Sequence, residues 1–141
     1  MTKNLKYIAL YLLTMVAFFA VDLVWLGIIA DEFYASELGP YLAEEVNWLS
    51  AILFYSLYIC GILFFVTIPA FKEQKHSKAL IKGAFFGLIT YGTYDRTNLA
   101  LIKDWPLQMS VVDIIWGVLL NTIVGWISYL IMNKLFDPVR S

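Results

Sequence analysis

The chain has 141 residues, 61% of them hydrophobic and 15% charged, against about 45–50% apolar in soluble globular domains, and one small domain has too little interior to hide that load. A water-soluble fold is excluded and the bilayer is the solvent that accepts such a surface. A formal net charge of −1 offers no field to a nucleic-acid backbone, and the single cysteine, Cys60, cannot form a disulfide within the chain.

Four apolar stretches, 5–30, 48–71, 79–102 and 107–136, are long enough for a hydrocarbon core that takes about 20 helical residues. They are continuous rather than alternating, which argues against an outer-membrane barrel. The expected fold is all-α: a polytopic integral membrane protein, one compact bundle of four transmembrane helices spanning 1–141. The first stretch follows Lys3 and Lys6 as a signal peptide would. Cleavage after Ala20, however, sets bulky Phe18 where a small residue is wanted, and the apolar run continues to Ala30, so a retained helix is expected.

Orientation follows from the basic residues. Lys3 and Lys6 precede the first stretch, Lys72, Lys75, Lys78 and Lys82 surround the second loop, and Lys134 and Arg140 lie at the end. The first loop carries Asp31, Glu32, Glu37, Glu44 and Glu45 with no Lys or Arg, and Lys103 is isolated in the third. Both termini are therefore expected in the cytoplasm. The first loop, 31–47, reads as an interfacial anchor dipping Phe33, Tyr34, Tyr41 and Leu42 into lipid, with a lid as the other reading. His76 falls in a solvated basic turn and receives no role.

Four ionisable residues fall inside the stretches: Asp22, Asp95, Arg96 and Asp113. Each costs about 2.5–3.5 kcal/mol at a helix centre on insertion scales, so such residues face a bundle interior. At 1.5 Å per residue the aspartates of three different helices lie roughly 12, 10 and 9 Å below the acidic-loop boundary. Val21-Asp22-Leu23-Val24-Trp25 resembles Val112-Asp113-Ile114-Ile115-Trp116 in a helix of opposite direction. The flanking sequence does not continue the match, which favours convergent packing over an internal repeat.

The third stretch aligns Gly87, Tyr91, Asp95 and Asn98 on one face, and the fourth aligns Asp113, Gly117, Asn121, Gly125 and Ser128. Tyr55 and Tyr58 come from the second stretch and Thr14 from the first. Three carboxylates against one guanidinium cannot all be buried ionised, so one aspartate is expected to hold a proton, and Arg96 is expected to pair with Asp22 or Asp113 across a helix boundary. Trp25 and Trp116 are deep enough to be pocket walls, whereas Trp48 and Trp105 mark the interface. The chain carries no zinc ligand set, HExxH, glycine-rich phosphate loop or dinucleotide fingerprint, so neither metal nor cofactor is expected.

The order Asp22-Leu23-Val24-Trp25-Leu26-Gly27, Asn47-Trp48, Tyr91-Gly92-Thr93-Tyr94-Asp95 with Thr97-Asn98, Trp105-Pro106 and Asp113-Ile114-Ile115-Trp116-Gly117 resembles the bacterial predicted membrane proteins grouped as domain of unknown function 2177. The resemblance implies a four-helix protein of the inner membrane. It carries over no activity, cofactor or partner. The family pattern reads Tyr-Asp-Leu-Thr-Asn where this chain has Tyr94-Asp95-Arg96-Thr97-Asn98, so Arg96 is a local departure.

Three functions fit these residues. The leading one is a pocket in the outer half of the bilayer that binds or modifies a small lipophilic molecule or membrane lipid. In it Asp95, Asp22 and Asp113 serve as acid, base or orienting groups, and Tyr91, Asn98, Arg96, Trp25, Trp116, Asn121, Tyr55 and Tyr58 contact the substrate. The others are proton-coupled transport of a small solute by a homo-oligomer, and a non-catalytic accessory subunit whose polar cluster fixes assembly.

Overall fold

The computed structural model describes residues 2–136, so the orientation cue from Arg140 lies outside the described residues. The described elements are all helical. α1 (Lys3–Val24) begins where the Thr2 hydroxyl accepts from the Leu5 N–H and runs on through a π-helical turn, Trp25–Ile29. A short helix, α2 (Asp31–Leu38), and a 3-10 turn, Gly39–Tyr41, form the acidic loop. α3 (Trp48–Ile62) is capped by the Asn47 carboxamide, which accepts from Ser50 N–H at 3.0 Å. A second π turn, Leu63–Thr67, leads into α4 (Ile68–Glu73), where Pro69 has no N–H to return along the helix. Gln74, at φ 51°, ends α4 in the left-handed region. α5 (His76–Leu101) and α6 (Leu107–Phe136) are joined by the Lys103–Pro106 turn.

Three of these rods, Lys3–Ile29, Trp48–Glu73 and Leu107–Phe136, are long and apolar enough to cross a membrane. α5 is 26 residues long but carries Lys78, Lys82, Asp95, Arg96 and the hydroxyl and amide groups of 90–98, which lower its apolarity. It is nonetheless packed along α6 for much of its length. A Cβ at Gly83 would run into the Asn121 carbonyl, and one at Gly87 into the Gly117 carbonyl, so these two positions require glycine for the approach of the two backbones.

α6 is the central helix. Its buried residues recur every three to four positions, from Met109 and Asp113 through Trp116, Leu120 and Val124 to Ser128 and Met132, so several of its faces meet other helices. α1 lies antiparallel to it in a register read from three contacts: Tyr7 on Phe136, Thr14 on Ser128 and Asp22 on Trp116. Between the polar ends is an apolar section of Ile59, Ile62, Val66, Leu120 and Val124, all 0% exposed. Below it, toward the basic loop, the buried hydroxyls of Thr14, Thr67 and Ser128 bond to one another at 2.8 and 2.9 Å. Many large apolar residues on the outside of the bundle, such as Ile28, Leu57 and Leu101, remain uncovered, as a lipid-facing surface requires.

Candidate functional site

At the acidic-loop end the helices part around a cavity of about 740 Å³. α5 meets the second π turn and α4 in the other half of the bundle, so the opening lies between the near halves of α3 and α5. Its polar wall holds Asp22 from α1, Tyr34 from α2, Thr90 and Tyr91 from α5, and Asp113 from α6. Its apolar wall includes Leu26, Phe54, Ile89, Met109 and Trp116.

The two Asp–Trp pairs are crossed. Trp25 and Trp116 stack, and the Trp116 indole N–H donates to Asp22 Oδ1 at 3.2 Å. The Trp25 indole N–H donates to the Tyr34 hydroxyl at 3.2 Å, and that hydroxyl donates to Asp113 Oδ1 at 2.5 Å. Burial first, and the Asp113 carboxylate second, push the Tyr34 phenol well above its usual range, so it remains a donor.

Asp95 is fully buried, and neither of its carboxyl oxygens has a hydrogen-bond donor among the described residues. Its polar neighbour is the Asp113 carboxyl. The ends of α5 and α6 are held together beside it: the Trp105 indole donates to Ser110 Oγ at 3.0 Å, and Ser110 Oγ donates to the Asp95 carbonyl at 3.3 Å. At the floor, the Tyr58 hydroxyl donates to Asn121 Oδ1 at 3.0 Å and lies 2.9 Å from Thr90 Oγ1, while Asn121 Nδ2 donates to the Gly117 carbonyl.

Asp22, Asp113, Tyr91, Tyr55, Tyr58 and Trp116 thus come together around one space. Trp25 stands behind Trp116, Asp95 behind Asp113, and Asn121 beneath Tyr58. Asn98 is half-buried and does not line the cavity. The expected pairing of Arg96 is corrected: its side chain is exposed, and no ion pair to any aspartate forms among the described residues. The cause is helical geometry. With Asp95 turned inward, the next residue along α5 is rotated by about 100°, which carries the Arg96 side chain out of the bundle.

Two aromatic residues also depart from their expected places. Tyr34 points into the cavity instead of into lipid. Trp105 is buried against Tyr41 and Tyr94 instead of marking the surface, and the Tyr41 hydroxyl donates to the Lys103 carbonyl at 3.0 Å, tying the first loop to the third. Tyr34 lay outside the sequence-based site because α2 is short and weakly amphipathic. The signal available was its place four residues after Ala30, at the end of the Asp22 helix.

Neither a curated protein nor a solved structure matches the chain. A family model described as "Predicted membrane protein (DUF2177)" matches residues 7–130, which takes in α2 and the four long rods that build the cavity. The chain therefore belongs to the DUF2177 family of predicted membrane proteins.

Proposed function

We propose that this protein binds a small lipophilic molecule, or a membrane lipid, in the outer half of a bacterial inner membrane, with proton transfer at Asp113 as the chemistry the site can perform. In this reading the bundle crosses the membrane four times, α5 included, both termini are cytoplasmic, and the acidic loop faces outward. The observation that carries it is the 740 Å³ cavity, whose walls combine carboxyl, phenol and hydroxyl groups with an extensive apolar lining. Asp113 borders the space and exchanges a proton with the ligand or holds its polar group. Asp95 acts through Asp113 as a positioning residue and proton store, Asp22 and Tyr91 offer further contacts, and Tyr34 closes the end from above.

The apolar section of Ile59, Ile62, Val66, Leu120 and Val124 weighs against solute transport within one subunit, because these fully buried side chains pack between the Tyr58–Asn121 floor of the cavity and the Thr14–Thr67–Ser128 hydroxyl cluster of the other half. The test is native mass spectrometry of the protein released from lipid nanodiscs. A non-bulk lipophile carried by the wild type and lost in Asp113→Asn and Asp95→Asn, both still folded, supports the reading. Equal loading of all three proteins removes it.

A further inference from the structure

The polar cavity shares a wall with a second space. A groove of about 570 Å³ runs along α3 and the second π turn, lined by Leu57, Gly61, Phe64, Phe65 and Ile68 with Phe86 from α5, and Phe54 and Tyr58 border both spaces. Positions 54, 57, 58, 61, 64, 65 and 68 form one helical face. From Phe54 to Ile68 that face is about 21 Å long at 1.5 Å per residue. It is concave because of Gly61: a Cβ there would come within 3.0 Å of the Phe86 ring, so the groove floor at this point is backbone and aromatic ring. Leu57, Phe64 and Phe65 leave 75, 68 and 59% of their surface uncovered along it.

The two spaces, which meet at Phe54 and Tyr58, differ in chemistry. The groove is apolar, whereas the cavity is bordered by Asp22 and Asp113 with Asp95 behind, and among the described residues neither Lys nor Arg lines it. A phosphate or carboxylate head would bring further negative charge against buried carboxyls without a counter-ion. A head with amino or hydroxyl donors finds acceptors there. Resting on the binding function proposed above, we infer that the occupant is a single-chain amphiphile, neutral or cationic at its head, with the head at Asp113 and its hydrocarbon chain laid along the α3 groove. The chain enters sideways from the bilayer between α3 and α5.

The test uses the full-length protein in phosphatidylcholine nanodiscs and photolabelling followed by peptide mapping. The probes are hexadecylamine with a diazirine at the terminal carbon, the same chain as hexadecyl phosphate, and hexadecylamine with the diazirine beside the head. The tail-labelled amine is expected to mark residues 57–68 at least fivefold more than the phosphate does. The head-labelled amine is expected to mark 22–38 and 109–116, and Asp113→Asn to lose both labels at least tenfold. Gly61→Trp, which fills the groove, is expected to lose the tail label alone, its retained head label reporting an intact fold, while Val16→Ala, on the outer face of α1 and bordering neither space, keeps both.

Equal labelling by amine and phosphate, or tail labels spread evenly over the outer faces of α1 and α6, overturns the inference. So does full displacement of the head label by butylamine at the concentration at which hexadecylamine acts, though the binding function then stands. Absence of head label from the cavity overturns both.

Discussion

Trp25 and Trp116 stack with ring centroids 4.5 Å apart and planes 9° from parallel, and each indole N–H is directed away from its own helix's aspartate toward the other's. Trp116 reaches Asp22 directly, whereas Trp25 reaches Asp113 through the Tyr34 hydroxyl. Because α1 and α6 are antiparallel, the two Val-Asp-x-x-Trp segments are exchanged by an approximate local two-fold at the stack, and α2 breaks that symmetry by inserting one phenol. The resemblance of the segments therefore has a packing cause that needs no longer repeat.

The phenol is the side-chain link between α2 and Asp113. Tyr34→Phe removes a bond to a carboxylate, worth about 1.5–3 kcal/mol, and is expected to speed amide exchange across 31–41 by tenfold or more while α5 and α6 stay protected. Hydrogen exchange by mass spectrometry reads this directly. Unchanged protection of 31–41 would show that α2 is held by other contacts.

Gly87 and Gly92 lie on the same helix with opposite prospects. A Cβ at Gly87 meets the α6 backbone, and one at Gly92 meets nothing within 4 Å. Gly87→Ala is expected to cost about 1–3 kcal/mol by overpacking, and Gly92→Ala to be neutral or to stabilise by up to about 1 kcal/mol from helix propensity. Thermal unfolding in one detergent compares the two. The reverse order would mean that α5 and α6 are not in this register.

Arg96, as an exposed residue without an ion-pair partner among the described residues, is expected to be dispensable. Arg96→Leu should shift unfolding by no more than about 0.5 kcal/mol and leave ligand loading intact. A loss of several kcal/mol would place the guanidinium on a buried carboxylate after all.

The proposed orientation is open to a chemical check in a Cys60→Ser background. A membrane-impermeant maleimide is expected to label Ser36→Cys in intact cells, and Lys75→Cys only after lysis. The opposite pattern reverses the outer assignment of the cavity.

The rods and the common level of the three aspartates along the bundle were legible in the sequence because both depend on continuous apolar length and on a fixed rise per residue. The α5–α6 contact was half legible: the glycines announced close approach, but not that Gly87 meets the Gly117 carbonyl or that Tyr91 lies over Gly117. Arg96 was misplaced because the one residue of rotation that separates it from Asp95 turns it out of the bundle rather than toward a neighbouring helix. Tyr34 and Trp105 belong to connections, where side-chain direction depends on a turn rather than a period. Phe54 was hidden for another reason, since in a uniformly apolar α3 no contrast marks the face that borders a cavity.

The apolar section between the two polar layers has a consequence for energetics. In the proposed orientation, with the aspartates roughly 10 Å below one face of a hydrocarbon core about 30 Å thick, a proton or cation reaching Asp113 from the outer side traverses about a third of the electric field. A full crossing is worth about 2.3 kcal/mol per 100 mV, so this entry is worth about 0.8 kcal/mol per 100 mV. The proposed orientation thus couples the site to the outer side of the membrane, with only a weak dependence on the membrane voltage.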